Sequence, residues 1–276
     1  MTIQQFRNTV WKYYAEHGRH DLSWRQTHDP YKILVSEIML QQTQVERVKG
    51  FYKAWLEKFP RVEILAQAPL SQVLISWQGL GYNRRAKMLH DAAKMVVKEH
   101  NGKVPTNPED LEQLPGVGPY TARAVAAFAA NAPVVFIETN LRTVVTHHFF
   151  PTAAEKVKDA DILAILEKAY PKVKAGEKSR SREWYAALMD YGAHLKRSGV
   201  RINNKSASYT KQSTFAGSDR QARGAILREL AKGAATRARL LGLLGDDRKD
   251  QLALQLENLR KENLIRRKGR GYILPS

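Results

Sequence analysis

The sequence predicts a mainly α protein that ends in a small winged-helix-like α+β module. Apolar residues recur at spacings of three and four through most of the first two-thirds of the chain, the signature of amphipathic helices. Alternating strand-like runs are nearly absent before residue 210. Beyond residue 217 the pattern runs helix, helix, helix and terminal hairpin, the order of a winged helix.

In chain order, the apolar periodicity predicts helices over Ile33–Tyr52, Leu70–Trp77, Ala86–Val97, Ala122–Ala130, Ile162–Tyr170 and Trp184–Leu195, with a polar helix over Asn107–Gln113. Stop and start signals separate them: Asp29-Pro30, Phe59-Pro60, Gly79 and Gly81, Asn101-Gly102, Val104-Pro105 with Asn107-Pro108, and Ala132-Pro133. From Lys196 to Ala216 the pattern lapses into a polar, basic, Ser/Asn-rich stretch that reads as a linker or an extended DNA-tracking loop. Ser218 then offers an N-cap to an amphipathic helix, Arg237–Leu244 and Lys249–Glu262 follow, and the last residues place two short apolar runs around a basic, Gly-containing turn. The expected organisation is a domain over 1–195, its N-terminal segment packing with 135–195, a basic linker over 196–216, and the winged-helix-like module over 217–276.

Composition narrows the partners. The 276 residues are 43% hydrophobic, enough for a core. Lys and Arg number 45 against 27 acidic residues, a net +18, which points to a polyanion. From Lys196 onward 19 Lys/Arg face 7 Asp/Glu, so +12 of that excess lies in the last 81 residues. The absence of cysteine excludes disulfides, thiol nucleophiles, Cys-ligated zinc and a protein-held iron–sulfur cluster. No signal-peptide stretch opens the chain and no apolar run approaches the ~18 residues of a membrane span. A soluble, intracellular protein is expected.

Two segments carry chemistry. Leu114-Pro115-Gly116-Val117-Gly118-Pro119-Tyr120-Thr121 joins the polar helix to an apolar one. Two glycines around one apolar residue let the backbone turn so that N–H groups at a helix N-terminus face an anion. A bare Gly-x-Gly is as readily an ordinary interhelical turn, but its setting between helices in so basic a chain favours a helix-hairpin-helix phosphate clamp. The second is Glu37, flanked by Ile33, Leu34 and Val35 and by Ile38, Met39 and Leu40. Periodicity leaves two readings open. Either the carboxylate is desolvated, with its pKa raised as a proton donor near neutral pH requires, or it faces solvent or pairs with an arginine such as Arg84.

The segment Val35-Ser36-Glu37-Ile38-Met39-Leu40-Gln41-Gln42-Thr43-Gln44-Val45, together with the hairpin, Gly79-Leu80-Gly81-Tyr82 and Met189-Asp190-Tyr191-Gly192-Ala193, resembles the MutY-type adenine DNA glycosylases of the helix-hairpin-helix glycosylase superfamily. The resemblance runs from about Trp24 to about Leu195. It implies a two-lobed helix-hairpin-helix glycosylase fold with DNA across the cleft and the target base flipped out. It also implies that Glu37 protonates the leaving purine at N7, that Trp24 and Arg25 line the base pocket, and that Gln41, Gln42 and Tyr82 wedge the duplex and read the unpaired partner. Leu114, Gly116, Val117, Gly118, Tyr120 and Thr121 are then the phosphate-binding hairpin, and Tyr120 is also a catalytic-site residue.

Departures from the family are as informative as matches. Glu138, in Phe136-Ile137-Glu138-Thr139-Asn140, stands where the family has the Asp that stabilises the oxocarbenium-like sugar. The extra methylene displaces a carboxylate by about an ångström, and such misplacement can reduce a rate roughly a hundredfold. A helix-start carboxylate is the plainer reading of Glu138. Tyr120 occupies the place of the Schiff-base Lys of bifunctional relatives; tyrosine forms no imine, so no lyase activity is expected. Ser23 stands where relatives usually have Pro. The four cluster-binding cysteines are replaced by the continuation Lys196-Arg197-Ser198, leaving Arg197, Arg201 and Lys205 as candidate basic contacts to DNA phosphates. The domain with which adenine-specific relatives inspect 8-oxoguanine is not recognisable in the basic tail.

The expected function is a monofunctional DNA glycosylase of base excision repair that removes adenine opposite G or 8-oxoG. Thymine or uracil removal from T:G or U:G mismatches is the nearest alternative, and a non-catalytic DNA-binding protein the other. Retention of carboxylates at both 37 and 138 argues against the last. No cofactor and no metal are expected. The expected partner is double-stranded DNA with a mispaired or damaged base, bound by a monomer away from membranes, in the cytoplasm or nucleoid.

Overall fold

A computed structural model describes residues 1–171, 179–210 and 214–276, apart from the side chain of Asn203. Residues 211–213 of the expected linker lie outside the described residues. The first helices are α1 (Ile3–His17), α2 (Pro30–Leu40), α3 (Val45–Lys58), α4 (Val62–Gln67), α5 (Leu70–Ser76) and α6 (Arg84–Glu99). Then come α7 (Pro108–Gln113), α8 (Pro119–Ala130), α9 (Thr139–Phe149), α10 (Asp159–Ala169) and α11 (Ser181–Arg197). The single helix expected over 33–52 is two. The chain breaks at Gln41–Gln44, where Gln42 takes a left-handed φ of 54° without any glycine or proline to announce it.

The described residues form two compact units, one of 1–37, 105–113 and 117–210, the other of 38–104, 114–116 and 214–276. In the first, α11 packs on α1, α8 and α9, and α10 packs on α1 and α9. Phe6 and Trp184, both fully buried, meet edge to face at 6.3 Å, and Phe136 stacks on Tyr185 at 3.8 Å. Truncating a buried aromatic of this kind typically costs about 3–5 kcal/mol. Arg7 donates to the carbonyls of Lys168, Ala169 and Tyr170, setting a cation where the α10 dipole is negative. Gly192 lets α9 lie directly on α11: a Cβ there would stand 2.5 Å from the Asn140 carbonyl oxygen.

In the second unit α4 and α5 pack on α6, around the buried Trp55 and Trp77, whose rings meet edge to face at 5.3 Å. The remainder runs α12 (Asp219–Leu230), β1 (Ala235–Thr236), α13 (Arg237–Leu244), α14 (Lys249–Lys261), β2 (Arg266–Lys268) and β3 (Gly271–Ile273). The strands form an antiparallel sheet ordered β1-β3-β2, with Thr236 opposite Gly271 and Arg267 opposite Tyr272. This is the winged-helix order. The Ser218 hydroxyl accepts from Gln221 N, capping α12 as expected, and Thr236 caps α13 in the same way. The module is fastened to the helices of its own unit: Ser71 N donates to Pro275 O at 3.0 Å and Gln78 Nε2 to Leu227 O at 3.4 Å.

Candidate active site

Every residue of α2 from Ile33 to Met39 is buried, so the helix has no solvated face on which to put a carboxylate. Glu37 is 5% exposed. The Tyr120 hydroxyl, from the first turn of α8, donates to its Oε2 at 2.9 Å. That bond favours the ionised form, but burial outweighs it and the nearby Glu138 charge adds to burial, so the carboxyl is pushed up to about 7. The solvent-facing and arginine-paired readings of Glu37 therefore give way to the desolvated one. Burial, followed by the two carboxylates, pushes the Tyr120 hydroxyl well above its usual range and keeps it a donor.

Glu138 is the N-cap of α9. Its Oε1 accepts from the backbone N–H of Asn140 at 2.7 Å and of Leu141 at 2.9 Å, and its Oε2 from the Asn140 amide at 3.2 Å. Lys196 Nζ donates to Asn140 Oδ1 at 2.8 Å, so a cation from α11 stands behind the cap. Burial raises the Glu138 carboxyl against these donors, and burial lowers the Lys196 amine. The helix-start role and proximity to Glu37 and Tyr120 thus coexist in one side chain.

Trp24, 8% exposed, and Arg25 sit on a 3-10 turn, Ser23–Arg25. The Arg25 fork is laid on Asp190 of α11, with Nη1 to Oδ2 at 2.7 Å and Nη2 to Oδ1 at 2.8 Å; Arg19 Nε adds a third bond at 2.7 Å. Burial pushes the Asp190 carboxyl up, and the two guanidiniums more than offset that, holding it below the usual range. Asp190 is thus an anchor for the turn. Arg182 Nη2 completes the clamp by donating to the carbonyls of Arg25 at 2.5 Å and Thr27 at 2.7 Å.

In the hairpin, only Gly116 has a positive φ, 80°, and a Cβ on it would stand 2.7 Å from Met88 Cβ. Gly118 is extended, caps α8 and faces open space, so it contributes accessibility rather than the turn itself. Leu114, Val117 and Thr121 are buried, which leaves their backbones for any phosphate contact. Glu112 on α7 and Arg123 on α8 pair at 3.1 Å across the hairpin's helices.

Gln41, Gln42 and Tyr82 lie together in the second unit, lining a cavity of about 870 Å³. Both Gln42 (φ 54°) and Tyr82 (φ 48°) hold the left-handed conformation that non-glycine residues rarely adopt. Arg85 holds the two loops in place. It donates to the carbonyls of Ile38, Met39 and Gln41, to Thr43 Oγ1 and to the carbonyls of Leu80 and Gly81, with its guanidinium over the Trp77 ring. No sequence motif singles this residue out. Its one local signal is a pair of arginines, Arg84 and Arg85, in the first turn of a helix whose dipole repels cations.

The cluster implied after α11 does not fit this chain, which offers no thiolate to hold it. The segment is held otherwise. Val157 N donates to Lys205 O at 2.8 Å and Ala207 N to Val157 O at 2.9 Å, while Ser208 and Arg142 both donate to Asp159. Arg201 donates to Lys196 O at 2.7 Å and Lys205 to Pro151 O at 2.5 Å, so two of the three expected phosphate contacts also serve as internal staples; Arg197 is exposed.

Comparison with known proteins identifies the family. The family described as HhH-GPD superfamily base excision DNA repair protein matches residues 35–172. An adenine DNA glycosylase of Mycolicibacterium smegmatis is 39% identical over 230 residues, 77% of this chain and 76% of that one. An adenine DNA glycosylase of Mycobacterium tuberculosis (strain ATCC 25618 / H37Rv) is 40% identical over 184 residues, 64% of this chain but only 58% of its own length. Among solved structures, a thermostable thymine-DNA glycosylase superposes with a TM-score of 0.61 at 28% identity, covering 69% of this chain and 86% of that one. With the family match over residues 35–172 and 39% identity across three-quarters of the Mycolicibacterium smegmatis protein, this chain belongs to the HhH-GPD superfamily of base excision DNA repair proteins.

Proposed function

We propose that this protein hydrolyses the N-glycosidic bond of adenine mispaired with guanine or 8-oxoguanine, without lyase activity and without a resident cofactor. The observation that carries the reading is Glu37, a buried carboxylic acid poised near neutral pH by its surroundings, hydrogen-bonded to Tyr120 and close enough to Glu138 to feel its charge. General-acid catalysis works best when the donor's pKa lies near the working pH.

In this mechanism Glu37 transfers its proton to N7 of the flipped adenine. The electron pair of the C1′–N9 bond then withdraws into the purine, and positive charge develops on the sugar. The Glu138 carboxylate stabilises that charge, held by the Asn140 and Leu141 N–H groups and backed by Lys196 through Asn140. Water adds to C1′ and gives up a proton that restores the ionised Glu37, leaving free adenine and an abasic site. Tyr120 orients Glu37 and supplies no amine, so no imine forms with the sugar. The hairpin N–H groups grip a phosphate, and the protein acts as a monomer on duplex DNA. Among the described residues no helix is long and apolar enough to cross a membrane.

The test is single-turnover base release from duplexes carrying A:G, A:8-oxoG, T:G and U:G, with alkali to reveal abasic sites and borohydride to trap any imine. Adenine release from the first two, with no trapped adduct, is expected. Release of thymine or uracil instead would establish the mismatch alternative; a borohydride adduct would overturn the hydrolytic mechanism.

A further inference from the structure

The cavity beside Gln41, Gln42 and Tyr82 is also lined by Arg220, Arg223 and Leu227 of α12, in the winged-helix module, and by Phe215 from the segment just before it. Six of its lining residues are arginines and none is acidic. These arginines have different duties. Arg85 is spent on backbone carbonyls, Arg47 donates to the Gly79 carbonyl, and Arg223 forms a bidentate pair with Glu262. Arg220 is held otherwise: its guanidinium lies over the Tyr82 ring at 5.6 Å and the Phe215 ring at 6.0 Å, and its Nη1 donates to the Tyr82 hydroxyl at 2.9 Å.

We propose that this cavity receives the base left unpaired by flipping, and that Arg220, supplied by the C-terminal module, selects guanine over adenine there as a specificity-determining residue. The chemistry is specific. A guanidinium fork matches paired acceptors such as guanine O6 and N7, whereas adenine presents an acceptor beside a donor. The aromatic rings of Tyr82 and Phe215 offer faces for stacking, and Phe215 is 59% exposed, ready to cover a base. A site for phosphate alone has no use for two aromatic rings and the neighbouring glutamine amides. The left-handed backbones at Gln42 and Tyr82 place strain on the cavity's rim, where a functional site accounts for it. A volume of about 870 Å³ lies within the range of ligand pockets.

The inference rests on the proposed glycosylase reading but is tested apart from it. The probes are duplexes carrying the uncleavable 2′-fluoro-adenosine opposite guanine, 7-deazaguanine (which lacks the N7 acceptor) or 2-aminopurine (which lacks O6), and Kd is measured for each. The full-length parent should bind the guanine duplex roughly tenfold or more tightly than the other two. Arg220→Ala should bring all three within about twofold of one another, with the 7-deazaguanine duplex bound as by the parent. Arg220→Lys, which keeps the charge and donors for O6 and N7 but loses the planar fork, should retain part of the discrimination while preserving the salt dependence. Melting curves confirm that both variants fold. Discrimination surviving in Arg220→Ala, a uniform loss of affinity for all three duplexes, or a parent that does not discriminate would overturn the proposal. A parent that discriminates among these duplexes yet releases no base from cleavable ones would leave this inference standing and remove the glycosylase reading.

Discussion

Glu37 couples catalysis to stability through one proton. Moving its carboxyl from the ordinary 4.5 to about 7 corresponds to about 3 kcal/mol between the two protonation states. Because the folded pKa is raised, that stability is fully present below pH 4.5 and is lost as pH rises through 7. Glu37→Gln keeps shape without a charge, so its melting temperature relative to the parent should climb between pH 5 and pH 8; a pH-independent difference would place Glu37 in water. The same variant should lose base release by a hundredfold or more while its duplex Kd stays nearly constant. The parent's rate should fall tenfold per pH unit above about 7 as Glu37 ionises. Glu138 admits a sharper substitution. Glu138→Ala should slow the single-turnover step with little change in Kd, since the carboxylate meets charge that appears only towards the transition state. Glu138→Asp shortens a side chain whose oxygens are fixed by three donors, and a lower rate is expected; a gain would mean that the site still prefers aspartate. The apolar flanks of Glu37 singled it out in the sequence but left burial and a solvent-facing or arginine-paired carboxylate equally open; the burial of α2 from Ile33 to Met39 decides between them. The sequence could not reveal the Asp190 clamp or the Arg85 staple, whose partners lie up to 171 and 47 residues away in the chain.

Elements with strong local signals were the readable ones. Helix α12 starts at the expected Ser218 cap, and α13 and α14 end within a residue of the positions their periodicity predicts. Three helices left weaker traces. In α1 charged residues interrupt the apolar stripe, α4 is only six residues long, and α9 is rich in β-branched residues that favour strands. Strand β1, two residues long, is too short to alternate. Yet α9 is the element that presents Glu138, and its seat on α11 depends on Gly192. With a Cβ at 2.5 Å from Asn140 O and 2.7 Å from Asn140 Cβ, Gly192→Ala must push the two helices apart. Backbone cannot yield there as a flexible side chain would. Overpacking of this kind typically costs about 1–3 kcal/mol. A lower melting temperature and a loss of single-turnover rate larger than the loss of affinity are expected, because the displaced group is the Glu138–Asn140 cap. Parent-like rates would show that Glu138 acts independently of the α9 seat.

At the scale of the whole molecule, charge and fold were legible to different degrees. Composition alone pointed to a polyanion, and the helix and hairpin order pointed to the winged helix. Nothing local could show that residues 214–276 share a compact unit with residues 38–104, because that follows from hydrogen bonds such as Ser71 N to Pro275 O. Deleting the module would therefore strip hydrogen bonds and apolar cover from α5 and its neighbours and confound any binding measurement. The wing allows a cleaner experiment. Arg266, Arg267, Lys268 and Arg270 are all exposed around the β2-β3 turn, so their replacement by glutamine leaves the packing intact. Every phosphate that the wing ceases to neutralise should reduce the slope of log K against log[salt] by about 0.9 on duplex DNA. The quadruple variant should bind undamaged duplex more weakly at low salt, converge on the parent at high salt, and keep the parent's ratio of rates on A:G and A:8-oxoG. If the salt slope is unchanged, the wing does not touch the backbone, and the +12 of the C-terminal region acts only as a long-range field that steers encounter.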